Sequence, residues 1–328
     1  MRVTVVLMMT CVVWMLPCRA FQTGEPTEPI GPFMGLVGAS QPKLLFPDRI
    51  STSLGEYNGT FSPDGKAFYY TVSLPSYDAI TVTRMLADGR WSQPEIAPFS
   101  GKHPDFDPLF APDGKRLYFS SRRPVHAADK GGKSGIWVME KQAGGWSEPK
   151  HLPFTKHSDF YSSLAENGTI YFNTWDEKRR TDDLFSAKPG PNGFTIENLG
   201  DLINSPALDA DPFVAPDESY IIFRSYREGG LGSADLYISF KKGNVWQKPI
   251  NLGAPINSEA KEICPLVTPD GKLFIFASNR FQTSYYDTPV KNLRDVARKF
   301  GSVDNGQLNV YYMDTRFIES LKREHGIQ

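Results

Sequence analysis

The chain has 328 residues, of which 40% are hydrophobic and 22% charged, and its formal net charge is −1. This composition is that of a globular protein and excludes a disordered chain. The near-neutral charge lacks the excess of basic residues that is typical of nucleic-acid-binding domains. The 26 prolines, 28 glycines and 13% aromatic residues favour an all-β fold, in which strands are joined by tight turns.

The first 20 residues are typical of a secretory signal peptide. Arg2 precedes an apolar run at 3–16, and residues 18–20 place small side chains at the −3 and −1 positions of a cleavage site. An uncleaved anchor and a lipoprotein signal ending at Cys18 are alternatives, but the run is short for a bilayer and Pro17 fits the lipoprotein pattern poorly. We therefore expect export to the periplasm or out of the cell, without a lipid anchor.

A long repeat follows. Residues 21–41 are rich in proline and glycine, which predicts a flexible leader ahead of a single domain at 42–328. One phrase then recurs as EYNGTFSPDGKAFYY (56–70), DFDPLFAPDGKRLYF (105–119), DFYSSLAENGTIYF (159–172), DADPFVAPDESYIIF (209–223) and EICPLVTPDGKLFIF (262–276). Its turn residues, at positions 63, 112, 166, 216 and 269, are 49, 54, 50 and 53 residues apart. A period near 50 residues predicts a β-propeller.

Each copy supplies two strands of a blade around its turn, and two more strands follow it. Third strands are predicted in AITVTRML, GIWVMEK, DLFSAK, ADLYISFK and LNVYYMD, and fourth strands in GRWSQP, GWSEP, NVWQKP and a weakened GFTI. The fifth copy lacks a fourth strand of its own. We expect residues 42–51 to supply it and to close the ring, because an open edge leaves backbone groups unpaired.

The fold prediction is therefore a five-bladed β-propeller of four-stranded blades, with a short C-terminal helix at 317–323. Six blades would follow if residues 21–38 contained a degenerate strand pair. The block GLGSADLYISFKKGNVWQKPINLGAPINSEAKEICPLVTPDGKLFIFASNR (230–280) resembles the WD40-like, TolB-type PDG-repeat propellers of exported bacterial proteins. The resemblance extends over about 42–322. It implies the propeller fold, whereas activity does not follow from it.

Two repeated patterns could carry function. A carboxylate lies seven residues before each turn residue, at Glu56, Asp105, Asp159, Asp209 and Glu262, and the pattern F-x-S-x-R ends the second strand of three copies in Arg123, Arg227 and Arg280. Both sets should meet on one face, where Arg–carboxylate pairs would tie the second strand to the first. Because their copies lack the arginine, Glu56 and Asp159 are the candidates to bind a cation or a sugar hydroxyl in the central funnel.

A third pattern, H-x-D, occurs in two neighbouring copies and contains His103 and His157. Imidazole and carboxylate groups from adjacent blades can hold a divalent metal, although two surface histidines are the simpler interpretation. No other cofactor is expected, although the repeated acids could bind a divalent cation such as calcium. Cys264 lies in an apolar strand and is expected to be a buried structural thiol.

The longest irregular insert is in the fifth copy, at 281–306. It contains Tyr285 and Tyr286 and a predicted helix at 290–300. Long loops on a rigid scaffold often bind ligands. These aromatic side chains either stack on a sugar or peptide or cap the end of the ring.

Two functions remain open from the residues alone. The first is an exported, monomeric, non-catalytic propeller that binds a glycan or a protein partner at the funnel face. The second is a glycan-active enzyme in which two funnel carboxylates act as acid and base. The sequence contains no G-x-S-x-G, H-E-x-x-H or Walker motif. Acids that are paired with arginines would favour the non-catalytic binding protein, and an isolated acid with a raised pKa would favour the enzyme.

Overall fold

The computed structural model describes residues 28–126, 128–281, 289–303 and 305–327. These residues form five antiparallel sheets, and the innermost strand of each sheet contacts that of the next, with the fifth contacting the first. The predicted five-bladed propeller is confirmed. The predicted signal peptide lies outside the described residues.

The blades follow one another along the chain. The first contains β2 (Gly55–Phe61), β3 (Ala67–Leu74), β4 (Tyr77–Arg84) and β5 (Glu95–Ile96). The second contains β6 (Asp105–Phe110), β7 (Arg116–Ser121), β8 (Gly135–Gln142), β9 (Gly145–Trp146) and β10 (Lys150–Leu152). The third contains β11 (Phe160–Leu164), β12 (Ile170–Asp176), β13 (Thr181–Gly190) and β14 (Gly193–Asn198). The fourth contains β15 (Asp209–Val214), β16 (Tyr220–Ser225), β17 (Asp235–Lys242), β18 (Val245–Trp246) and β19 (Ile250–Asn251).

The fifth blade combines both ends of the domain. Its strands are β20 (Glu262–Val267), β21 (Leu273–Ser278), β22 (Asn309–Asp314) and β1 (Lys43–Leu44). Strand β1 pairs antiparallel with β22, with Leu44 opposite Tyr311. The predicted ring closure by the N-terminal segment is confirmed. This strand has two residues, because the chain turns immediately after it.

The closing segment also fills the core. Ile50 has no exposed surface and packs with side chains of the first, fourth and fifth blades. We predict that Ile50→Val lowers the free energy of unfolding by about 0.5–1.5 kcal/mol, because one buried methylene is lost. Chemical denaturation measures this. Ile96→Val is the matched control: Ile96 is 50% exposed, and its change should stay within about 0.5 kcal/mol. Equal effects of the two substitutions would contradict the packing of this segment.

The fourth strands differ from the prediction in three blades. In the first blade Trp91 forms an isolated bridge with Met85, and the edge strand β5 begins four residues after this tryptophan. The segments around Trp146 and Trp246 form the short strands β9 and β18, which extend a hairpin with the third strand. The edge strands β10 and β19 begin four residues after these tryptophans, beyond a proline. The proline lacks the N–H that a ladder needs, which separates the two pieces.

The described part of the predicted leader contacts the propeller. Residues Pro32–Gly35 form a 3-10 turn, and Met34 is fully buried in the core. The ring of Phe33 lies against Phe61, with 5.3 Å between centroids. Phe33 and Met34 thus hold this part of the segment on the propeller, whereas its composition predicts a flexible leader.

Hydrophobic clusters lie between adjacent blades, so the core is a ring of interfaces. Helix α1 (Leu293–Phe300) lies within the long insert of the fifth blade, and helix α2 (Arg316–Glu324) follows β22. Both predicted helices are confirmed with shifted boundaries. Among the described residues, no helix is long and apolar enough to cross a membrane.

Candidate functional site

The five repeated carboxylates are buried at the end of the ring where first strands begin, which we call the acid end. Each has an exposed fraction of 2% or less. Four of them accept hydrogen bonds from the N–H and hydroxyl of a serine or threonine four residues earlier, in the pairs Glu56–Thr52, Asp159–Thr155, Asp209–Ser205 and Glu262–Ser258. The carboxylates therefore fix the loops that connect the blades.

All three predicted arginine–carboxylate contacts are present. Arg123 Nη2 lies 2.7 Å from Asp105 Oδ1, and the equivalent pairs are Arg227–Asp209 at 2.8 Å and Arg280–Glu262 at 3.1 Å. Each arginine also donates to a carbonyl of the preceding loop and lies over aromatic rings. The same arginine–carboxylate contact repeats in the second, fourth and fifth blades, as expected of a contact that stabilises the repeated scaffold.

Glu56 and Asp159 lack an arginine but have other partners. Glu56 Oε2 accepts from the side chain of Asn309 at 3.0 Å and from the N–H of Thr52 at 2.9 Å. Burial raises the pKa of Glu56 to about 7, although its hydrogen bonds act in the opposite direction. Burial likewise raises the pKa of Asp159. Both groups are thus bonded within the scaffold, and neither is an isolated acid.

The other sequence candidates are not brought together. Among the described residues, no group of three or more His, Cys, Asp or Glu side chains is placed to hold a metal. His157 Nε2 lies 3.4 Å from Glu177 at the surface, and His103 is partly buried in the equivalent loop of the second blade. Tyr285 and Tyr286 lie outside the described residues.

A different set of side chains meets at the centre, and a repeated β-bulge puts it there. In every inner strand the register shifts just after the acid, and the residue two positions beyond the acid has a positive φ. These residues are Asn58 (46°), Asp107 (54°), Tyr161 (53°), Asp211 (54°) and Cys264 (54°). A bulge of this kind redirects a side chain, here towards the central axis.

Their contacts show this convergence. Asn58 Nδ2 donates to Asp107 Oδ1 at 3.2 Å, and the N–H of Cys264 donates to Asp211 Oδ2 at 3.3 Å. The hydroxyl of Tyr161, in the third blade, donates to a carbonyl of the fifth blade at 3.0 Å. Because the third and fifth blades are not neighbours, this bond crosses the axis.

The second strands add one charge to this centre. Arg224 Nε lies 3.2 Å from Asp211 Oδ2. At the equivalent register the other blades have small or amide side chains, namely Thr71, Ser120, Asn173 and Ala277. We call the residues Asn58, Asp107, Tyr161, Asp211, Cys264 and Arg224 the axial cluster. All but Arg224 are 5% exposed or less.

The two carboxylates of the axial cluster have different environments. Burial raises the pKa of Asp107 to about 8, and the charge of Asp211 adds to this rise. Among the described residues, Asp107 accepts hydrogen bonds from the neutral side chains of Asn58 and Ser120, at 3.2 and 3.3 Å. Asp211 is paired with Arg224. At neutral pH the carboxyl group of Asp107 is therefore mostly protonated.

Polar and aromatic side chains lie around the axial cluster. Tyr57 donates to Asp78 at 3.3 Å, and the charge of Asp78 adds to the rise in the pKa of Asp107. Asp182 is partly buried, has a raised pKa because of burial, and is coupled to Arg224 and Asp211. The amide Nδ2 of Asn173 is buried without a hydrogen-bond partner among the described residues. This is a site with unused hydrogen-bonding capacity.

The opposite end of the axis, which carries the PDG-type turns and which we call the turn end, is apolar. A cavity of about 380 Å³ lies there and is lined by residues of all five blades, including Leu109, Phe213 and Leu266. The polar chemistry of the axis is therefore carried by the axial cluster.

No family model and no curated protein matches the chain. Solved structures with a similar fold include an α-L-arabinofuranosidase from Lactobacillus brevis, with 12% identity and a TM-score of 0.51, covering 82% of this chain and 92% of that one. A putative TolB from Agrobacterium tumefaciens has 15% identity and a TM-score of 0.48, covering 80% and 90%. TolB from Acinetobacter baumannii has 14% identity and a TM-score of 0.46, covering 80% and 55%. At these identities the likeness shows the propeller fold alone.

Proposed function

We propose that the chain is an exported, non-catalytic, monomeric propeller that binds a glycan at its acid end through the axial cluster. The observation that carries this proposal is the break in the repeat at the axis. The scaffold acids recur in every blade, whereas the residues two positions later are an amide, two carboxylates, a phenol and a thiol. Positions at which the residue differs from copy to copy are not required by the scaffold, so their side chains are available to bind a ligand.

The chemistry of the axial cluster supports a sugar. A sugar hydroxyl both donates and accepts, and carboxylates, amides and guanidinium groups supply both kinds of partner. Arg224 and Asp211 form an ion pair, and Arg224 Nε and the amide nitrogen of Asn173 are both buried without a hydrogen-bond partner among the described residues. Calcium is a second ligand to test, because carboxylate and amide oxygens are its preferred donors.

A second candidate is a glycan-active enzyme. The observation that favours it is that two carboxyl groups at the axis have different environments: burial raises the pKa of Asp107 to about 8, whereas Asp211 lies 3.2 Å from Arg224. A carboxyl group with a raised pKa near a second carboxyl group is the arrangement that supplies the general acid and the base or nucleophile of a glycosidase. Both groups are 4% exposed, which favours neither candidate over the other.

A glycan array with residues 21–328 tests the proposal, run with calcium and with EDTA and scored for binding and for released product. We expect binding without release. The double variant Asp211→Asn/Arg224→Gln, which removes both charges together, should weaken binding at least tenfold. Asp201→Asn, at a side chain that is 92% exposed, is the control and should bind normally.

The other outcomes separate the candidates. Released oligosaccharide, abolished in Asp107→Asn or Asp211→Asn, would replace the binder with the enzyme. Binding that is unchanged in the double variant would remove the axial cluster from the site. If no glycan binds and no product is released in any condition, the glycan proposal is overturned. A protein partner of the long insert at 281–306 is then the next candidate to test.

A further inference from the structure

A second groove lies away from the axis, between the third and fourth blades at the turn end. Its cavity volume is about 540 Å³, and it contains no residue of the axial cluster. This volume falls in the range of about 300–1,000 Å³ that is usual for small-molecule sites. The groove is lined by Trp246, Tyr171 and several charged and amide side chains.

One residue of the groove departs from the repeat in an unfavourable conformation. The turn position taken by Gly65, Gly114, Gly168 and Gly271, with φ between 65° and 85°, is taken in the fourth blade by Glu218, with φ of 58°. A side chain in the left-handed region costs about 1–2 kcal/mol relative to the right-handed one. Such strain persists where the surroundings hold the residue, and it concentrates at functional sites.

The carboxylate of Glu218 is held by three donors in the groove. The hydroxyl of Tyr171 donates to Oε1 at 2.5 Å, and Asn167 Nδ2 and Lys241 Nζ each donate to Oε2 at 3.1 Å. Burial raises the pKa of Glu218, but these bonds outweigh it, and the net pKa is lowered. A carboxylate has about four acceptor positions, so one on Oε1 remains for a ligand.

An aromatic wall completes the groove. The ring of Trp246 is partly exposed, lies edge-on to Tyr171 at 6.2 Å, and has the ammonium of Lys241 5.1 Å from its centroid. The equivalent tryptophan and tyrosine also meet between the first and second blades, where Trp146 Nε1 donates to the hydroxyl of Tyr69 at 3.4 Å. There the turn residue is glycine, so the repeat supplies the aromatic pair and only this groove adds the carboxylate.

The balance of charge indicates the ligand class. The groove contains two cationic and two anionic side chains, Lys188, Lys241, Glu197 and Glu218, and the amides Asn167 and Asn198. It therefore favours neither a phosphate nor a polyamine, but offers donors and acceptors in equal measure beside an aromatic surface. We propose that this groove binds a neutral saccharide, with an apolar sugar face against Trp246 and hydroxyl groups on Glu218 and the amides.

The test uses a panel of neutral malto-, cello-, xylo- and chito-oligosaccharides titrated into residues 21–328 by calorimetry. At least one should bind, and Trp246→Ala should weaken it tenfold or more. Trp146→Ala, at the matched aromatic pair, should bind as the unaltered chain does. Because Trp246→Ala removes packing, Lys188→Ala, at a side chain that is 53% exposed, is a second probe without a folding cost and should weaken binding severalfold.

The axial double variant Asp211→Asn/Arg224→Gln separates this inference from the proposed function. Binding that survives in it and is lost in Trp246→Ala supports the groove even if the axis binds nothing. Binding that is lost in the axial variant and retained in both groove variants overturns the groove site. The proposal is also overturned if no neutral saccharide binds, or if Trp146→Ala and Trp246→Ala are equally impaired.

Discussion

Replacing Asp209 by alanine is expected to lower the free energy of unfolding by about 3–5 kcal/mol, because it leaves the partly buried Arg227 without its counter-charge and removes the acceptor of the Ser205 hydrogen bonds. Asp209 has no exposed surface and accepts from the N–H and hydroxyl of Ser205 at 2.5 and 2.8 Å and from Arg227 at 2.8 Å. Removing the carboxylate therefore releases the loop between the third and fourth blades as well. Equilibrium denaturation in urea measures the loss.

A surface ion pair provides the control. Asp201, in the same loop, contacts Arg179 but has a side chain that is 92% exposed. Asp201→Ala should cost less than about 1 kcal/mol, because exposed pairs are screened by solvent. If Asp209→Ala cost no more than this control, the repeated acids would not be scaffold. They would then return as candidates for a ligand.

The second large effect is on the pH dependence of stability. The pKa of Asp107 is about 8 in the folded chain and 3.8 ordinarily. Between these values the folded state holds a proton that the unfolded state releases, so stability falls as the pH rises from about 4 to about 8. The contribution of one such group is at most about 1.4 kcal/mol per pH unit. Asp107→Asn, which is neutral at every pH and nearly isosteric, should remove it.

Denaturation midpoints at several pH values between 4 and 9 measure this slope. The variant should be more stable than the unaltered chain at pH 8 and close to it near pH 4. Some negative slope should remain, because burial also raises the pKa of Glu56 to about 7. Asp113→Asn, in the exposed turn of the same blade, is the control and should follow the unaltered chain. Parallel pH curves for Asp107→Asn and the unaltered chain would contradict the protonated state of Asp107.

The sequence predicted the scaffold acids and their partners but not the axial cluster. The acids and arginines recur with the period of the blades, so strand topology alone places them on one end of the ring. The axial residues lie two positions beyond each acid, where an alternating strand would face them the same way as the acid. A positive φ at each bulge changes this direction, and nothing in the residue types requires it, since only Asn58 and the aspartates tolerate it well.

One signal for the axial cluster was nevertheless present. In the aligned copies the position two beyond the acid reads Asn, Asp, Tyr, Asp and Cys, while the acid itself recurs in all five copies. Variable polar residues inside a buried strand mark a place that the scaffold does not dictate. Asp107 and Asp211 satisfy that criterion, whereas Glu56 and Asp159, selected for their missing arginines, have the capping bonds of the repeat.

The sequence by itself determined the number of blades, the closure of the ring by the N-terminal segment and the scaffold pairs, because each depends on local patterns repeated at a constant spacing. The tertiary structure decided which side chains meet across the axis and where Glu218 directs its carboxylate. Those contacts join blades that are distant in the chain, such as Asp107 with Asp211 in the second and fourth blades. Their geometry follows from bulges and left-handed residues, which the sequence pattern does not specify.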